Sequence, residues 1–200
     1  FGLKPGWVPA FADAVNQRHA RIPFKCLSRA DLLLKDNTVQ HLARAGCRDV
    51  WIGAESGSQK ILDAMEKGTT IGQIRQSSSL LRRHGIRVGF FLQYGYPGET
   101  RQDIERTLQM VRDCKPDEIG ISVSYPLPGT SFYERVKSQL GDKQNWVDSQ
   151  DLALMYQGEF SADFYRALHT VTHKKFRIWQ GKDILKRLIT NPSTINRRNA

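Results

Sequence analysis

Glu55 and Lys67 are the residues whose types and spacing offer the most chemistry. Glu55 stands in Gly53-Ala54-Glu55-Ser56-Gly57-Ser58, between small residues on both sides. Small flanks let a ligand approach the backbone closely, and a carboxylate so placed can accept both hydroxyls of a ribose. The same acid also suits the start of a following helix, where a negative charge contributes about 0.3–1 kcal/mol. Both uses stay open for Glu55. Lys67 follows after a short helical stretch, immediately before Gly68-Thr69-Thr70. Its ammonium can return to the same strand end and bind a carboxylate, a charge-assisted hydrogen bond worth about 1.5–3 kcal/mol. Pairing with the dipole of a helix C-terminus is the plainer alternative. Arg29 is a third charge of this kind, open to pairing with Glu55, to a ligand carboxylate or phosphate, or to solvent.

Two further turns resemble the one that carries Glu55. Gly95-Tyr96-Pro97-Gly98-Glu99-Thr100 and Pro126-Leu127-Pro128-Gly129-Thr130 each follow an apolar run. Ligands of parallel sheets and barrels bind at the C-terminal ends of strands, where such turns sit. Phe90, Phe91, Tyr94 and Tyr125 lie close by in sequence and are candidates to line a pocket for a flat ring, or to fill the core.

The elements that must position these residues alternate. Residues 22–27, 49–53, 86–93 and 118–125 read as strands. Residues 7–18, 39–45, 58–65 and 71–84 read as helices, as does a stretch from 99 or 100 to 114. Val8, Phe11 and Val15 recur at helical spacing, and Gly46 stands where a helix ends. The apolar run of 86–93 has the pattern of a parallel strand buried on both faces. Strand separations of this size match successive right-handed βαβ units. Four such units make part of a (βα) barrel. After Tyr133 the alternation stops. Residues 161–179 read as one long helix and 182–189 as another. The expected organisation is therefore an α/β partial barrel over residues 1–140 and a helical extension with a basic tail over 141–200.

Composition narrows the classes. No apolar run approaches the roughly 18 residues of a membrane span. The chain opens Phe1-Gly2-Leu3 without an initiator Met or signal pattern, which suggests a piece of something longer. Cys26, Cys47 and Cys114 are spaced unlike any zinc or iron–sulfur ligand run and suit reduced thiols in a cytoplasmic protein. The net charge is +10, and residues 174–200 hold eight Lys/Arg against the single acid Asp183. Such a tail suits nucleic acid, an anionic membrane surface, or simple solvation.

Taken together, the runs GCRDVWIGAESGSQKILDAMEKGTT, GIRVGFFLQYGYPGETRQDIERTL and ISVSYPLPGTSFYE resemble the radical S-adenosylmethionine enzymes. The branch they resemble is typified by cobalamin-dependent methyltransferases and the anaerobic magnesium-protoporphyrin ester cyclase. The resemblance covers roughly residues 1–136. It implies a partial (βα)6 barrel of which this chain supplies strands three to six, with S-adenosylmethionine as cofactor. It implies that Glu55, beside Ser56, holds the ribose and that Lys67 holds the methionyl carboxylate. The backbone of Gln93, Tyr94 and Gly95 would contact adenine, and Tyr125 to Leu127 would pack on the same ring.

The family's C-x3-C-x2-C loop, which binds the [4Fe–4S] cluster, is absent from this sequence, as is the Gly-Gly-Glu stretch that holds the methionyl amine. The resemblance therefore implies that cluster, any cobalamin domain and the missing barrel half lie upstream. The expected function is a fragment of a radical enzyme for methyl transfer, cyclisation or related chemistry, inactive alone, acting on a small molecule the sequence does not name. The alternative is a non-catalytic binding module with a nucleic-acid-binding tail.

Overall fold

The structure, a computed structural model, describes residues 2–140, 152 and 154–190. Four strands, β1 (Phe24–Ser28), β2 (Cys47–Glu55), β3 (Arg87–Tyr94) and β4 (Glu118–Val123), form one sheet in the order β1-β2-β3-β4. Every pairing is parallel. Helices α1 (Trp7–Gln17), α2 (Ala30–Leu33), α3 (Thr38–Ala45), α4 (Gln59–Ala64), α5 (Ile71–Arg83) and α6 (Arg101–Cys114) connect or precede these strands. Helix α7 (Ser131–Val136), a short 3-10 turn (Lys137–Gln139) and helix α8 (Ala162–Thr190) follow them.

Strand alternation divides the sheet into two unlike faces. Val50, Ile52 and Ala54 of β2 and Val88, Phe90 and Leu92 of β3 are buried against Leu33, Leu42, Ile74, Leu81 and Met110 of the helices. The other face is open. It carries Trp51 beside Gly89, Gly53 beside Phe91 and Gly120, and Gln93 beside Ser122, with Glu55 beyond the register shift at the end of β2. The Trp51 ring lies on Gly89, where an added Cβ would stand 2.4 Å from it, and packs at a tilt against Phe91 with centroids 4.6 Å apart. The apolar run of β3 is thus not covered on both faces as its composition suggests. Phe91 is 40% exposed because the helices occupy one side only.

Helix starts follow their caps. Thr70 and Thr100 each accept from the backbone N–H three residues on, and Gln73 and Asp103 return the bond. The expectation of two C-terminal helices is corrected: α8 runs unbroken through Gly181. Two contacts hold it there from either side. Gln180 Nε2 donates to the Asp117 carbonyl at 2.9 Å, and Lys115 pairs with Asp183 at 2.8 Å. Helix α8 also joins the main core through Phe176 and Trp179, and meets Tyr94, Ile104 and Val123 through Tyr165 and Leu168. The sequence reading of residues 191–200 lies outside the described residues, as does most of 141–153.

Candidate functional site

Glu55 ends β2 in the left-handed backbone region, at φ 52°, where the ladder to β3 shifts register. A non-glycine residue there is uncommon, and such positions cluster at ligand sites. The turn swings the carboxylate back over Gly53. An added Cβ at Gly53 would lie 2.8 Å from Glu55 Oε1, so the missing side chain makes the room. Lys67 reaches the same place from beyond α4, between Glu66 and Gly68, which are both left-handed. Its Nζ donates to Glu55 Oε1 at 2.8 Å, with the carboxylate mostly covered and the ammonium about one-third exposed. The two residues set apart in sequence form one ion pair at the C-terminal rim of the sheet.

Beside that pair opens a cleft of about 560 Å³. Lys67, Gln93, Tyr125 and Leu127 line it, so four of the sequence candidates share one space. Glu66, Tyr96, Ser131 and Phe132 line it too and were not anticipated. The Tyr96 and Phe132 rings pack at a tilt with centroids 4.8 Å apart, and Glu66 accepts from Ser131 Oγ at 3.0 Å. The signal for the last group was Thr130, which caps α7 by accepting from the Tyr133 N–H and so presents Ser131 and Phe132 to the cleft.

The remaining candidates stand elsewhere. Arg29 pairs with Asp31 through two hydrogen bonds, at 2.9 and 3.3 Å, and not with Glu55. Its guanidinium still borders Gly68, the neighbour of Lys67. Ser56 is fully buried, its hydroxyl 3.3 Å from that of Thr107 and accepting from the Ser58 N–H. Tyr94 lies on the helix-covered face with its hydroxyl 3.4 Å from Thr172, since alternation puts it opposite Gln93. Burial pushes its phenol well above the usual range. Gly95 gives its N–H to Glu99 Oε2 at 2.6 Å, and its carbonyl accepts from the Tyr156 hydroxyl.

The rim turns are braced from below. Asp103 accepts from Ser58 Oγ at 2.7 Å and from both the N–H and hydroxyl of Thr100. Burial alone would raise its carboxyl, but these hydrogen bonds and nearby Lys60 hold it down at about 2. Thr107 accepts from the Gly57 N–H at 2.8 Å. The turn after β2 and the start of α6 are therefore one hydrogen-bonded unit. Glu99, completely buried in the next turn, is the opposite case: burial drives its carboxyl up to about 7, with Asp103 adding to the rise.

Among the described residues no three His, Cys, Asp or Glu side chains gather as a metal site. Cys26 and Cys47 face each other at 3.9 Å between β1 and β2, and Cys114 ends α6, all three buried. This donor set does not fit an iron–sulfur cluster.

A family model, the radical SAM superfamily, matches residues 7–111, more than half of the chain. The chain belongs to the radical SAM superfamily. It is 27% identical over 134 residues to an uncharacterised methyltransferase of Pyrococcus horikoshii, covering 66% of this chain and 29% of that protein. It is 30% identical over 139 residues to the anaerobic magnesium-protoporphyrin IX monomethyl ester cyclase of Rubrivivax gelatinosus, covering 69% of this chain and 24% of the cyclase. This radical SAM chain thus spans 24–29% of the length of these curated relatives. In fold it is similar to the radical S-adenosylmethionine methyltransferase TsrM of Kitasatospora setae, solved with cobalamin and a [4Fe–4S] cluster. That match has a TM-score of 0.58 at 21% identity and covers 70% of this chain and 29% of TsrM. Coproporphyrinogen III oxidase of Escherichia coli matches at TM-score 0.53 and 16% identity, over 63% of this chain and 30% of that one. The four-stranded parallel sheet with helices on one face agrees with a partial barrel of this superfamily, whose members use S-adenosylmethionine and a [4Fe–4S] cluster.

Proposed function

We propose that this chain is the cofactor-binding wall of a radical S-adenosylmethionine enzyme of the methyltransferase or cyclase kind. The observation that carries the reading is the Glu55–Lys67 pair, 2.8 Å apart, at the strand ends beside the cleft of Gln93, Tyr125 and Leu127. The cleft lies within the roughly 300–1,000 Å³ of ordinary small-molecule sites. The cleft and the Glu55 carboxylate beside it, which does not line it, together suit S-adenosylmethionine: an acceptor for ribose hydroxyls, a cation for a carboxylate, and apolar faces with one amide for a purine. The bound cofactor supplies the reactive carbon, and the protein positions it.

In this reading Glu55 accepts the two ribose hydroxyls through the oxygen that Lys67 leaves free. The ammonium turns part of its hydrogen bonding to the methionyl carboxylate and stays tied to Glu55, so neither charge is left alone. Leu127 and Tyr125 cover one face of the adenine, and the Gln93 amide meets its edge. Tyr94 stays in the core, and the Gly95 backbone remains with Glu99 and Tyr156, so neither takes part. The cluster is held by residues outside this chain, and the chain alone binds the cofactor without turning it over.

The test is calorimetric titration of the 200-residue chain with S-adenosylmethionine. Glu55→Gln and Lys67→Met are each expected to weaken binding about tenfold or more, the loss of one charge-assisted hydrogen bond. Arg75→Gln, whose side chain pairs with Asp113 and does not line the cleft, is expected to leave it unchanged. Equal affinities for all three variants would contradict the proposal.

A further inference from the structure

The last turns of α8 pass beyond the core. No residue from 181 to 190 is buried. The helix is fastened by Tyr165, Leu168, Thr172 and Phe176, and these share one side of it. Ile178, Ile184, Leu185, Leu188 and Ile189 lie on the opposite side, within an arc of about 140° at 3.6 residues per turn. They are exposed, Leu185 at 58% and Ile189 at 72%. Lys182, Lys186 and Arg187 occupy the remaining arc. Asp183, the one acid of α8 beyond Asp163, is already paired with Lys115. From Ile178 onward aliphatic and cationic residues are thus segregated on a helix whose apolar side faces away from the protein, while exposed Lys174 and Arg177 stand in the same arc one turn earlier.

We infer that this end of α8 docks on an anionic membrane surface, lying in the interface with its aliphatic side toward the acyl chains. The charges select this occupant. A second copy would set Lys182 and Lys186 against their own kind, since no acid on this stretch is free to face them. A nucleic acid would satisfy the lysines and leave five aliphatic side chains against phosphate and water. A bilayer with anionic headgroups meets both demands: the aliphatic arc sinks below the headgroups while the flanking lysines extend to them. The sequence beyond Thr190 adds Arg197 and Arg198 and no acid. No helix of the described residues is long and apolar enough to cross a membrane, so the contact is a surface one.

The experiment is co-sedimentation of the 200-residue chain with phosphatidylcholine vesicles, with and without phosphatidylglycerol. Binding is expected only where phosphatidylglycerol is present, and it is expected to weaken as salt rises. Leu185→Asp with Ile189→Asp should reduce it more than about tenfold, and Lys182→Glu with Lys186→Glu should do the same. All four positions are exposed, so far-UV circular dichroism should show the folded signal retained. No binding to anionic vesicles would overturn the inference. So would binding that survives the aspartate pair, which would mean charge alone. A lipid-free dimer dispersed by the aspartate pair, or an oligonucleotide complex indifferent to it, would assign the surface to a second copy or to nucleic acid instead.

Discussion

At the scale of single residues, the two charges that stand out in sequence proved to be one feature. Glu55 and Lys67 read as separate ligand groups, but the eleven residues between them and two left-handed turns bring them into direct contact. The pairing was not legible because neither left-handed residue, Glu55 nor Glu66, is a type that announces such a turn. The Tyr94 side chain, open in sequence between a ring pocket and the core, lies in the core, since residues 93 and 94 must point to opposite faces of a strand. The helix read from 99 or 100 starts at the Thr100 cap, and Glu99 is a buried carboxyl raised by burial to about 7, with Asp103 and the phenols of Tyr94, Tyr156 and Tyr165 around it. Among the described residues its Oε1 has no hydrogen-bond partner. The consequence for stability has a definite sign. In the unfolded chain this carboxyl titrates near 4.5. The folded protein therefore holds its proton more tightly, an advantage that is full below that value and is lost as pH rises through about 7. The loss is of order 3 kcal/mol across the window. Glu99→Gln is expected to flatten this dependence, as read from urea unfolding midpoints at about pH 5 and about pH 8. Parallel profiles for the two proteins would show that Glu99 is charged in the fold throughout.

At the scale of elements, apolar runs and turn residues located β2, β3, α5 and α6 to within a few residues, because each couples a clear period to a clear stop. The two short helices left no such signal. Ala30–Leu33 makes a single turn, and Ser131–Val136 is announced only by Thr130. The helices read over 161–179 and 182–189 are one, α8, with side-chain anchors on both sides of Gly181. The junction between the β2 turn and α6 depends on another glycine. A Cβ at Gly57 would stand 2.2 Å from the Arg106 carbonyl oxygen, and backbone cannot yield as a side chain would. Gly57→Ala is expected to destabilise the protein by about 2–4 kcal/mol and to displace the turn that carries Glu55. Chemical denaturation measures the first effect and loss of S-adenosylmethionine affinity the second. A variant of unchanged stability would mean that the junction is looser than its hydrogen bonds suggest.

At the scale of the whole molecule, three rim turns in unbroken order made both the sheet and the superfamily legible, while the open face was not. A composition suited to burial on both sides hid that Trp51 and Phe91 face a space the helices do not cover. That face and the rim cleft lie on the same sheet, so the cofactor reading places the ligand at the C-terminal strand ends, with the apolar rings below it. A second cleft of about 520 Å³ lies at the other ends of the strands, between Arg87, Lys115, Phe176 and Trp179. A crystal structure of the chain grown with S-adenosylmethionine separates these locations in one measurement. The expected result is density in the rim cleft, with the ribose within hydrogen-bonding distance of Glu55, the carboxylate at Lys67 and the purine against Leu127. Density confined to the cleft beside Trp179, or none at saturating ligand, would contradict it.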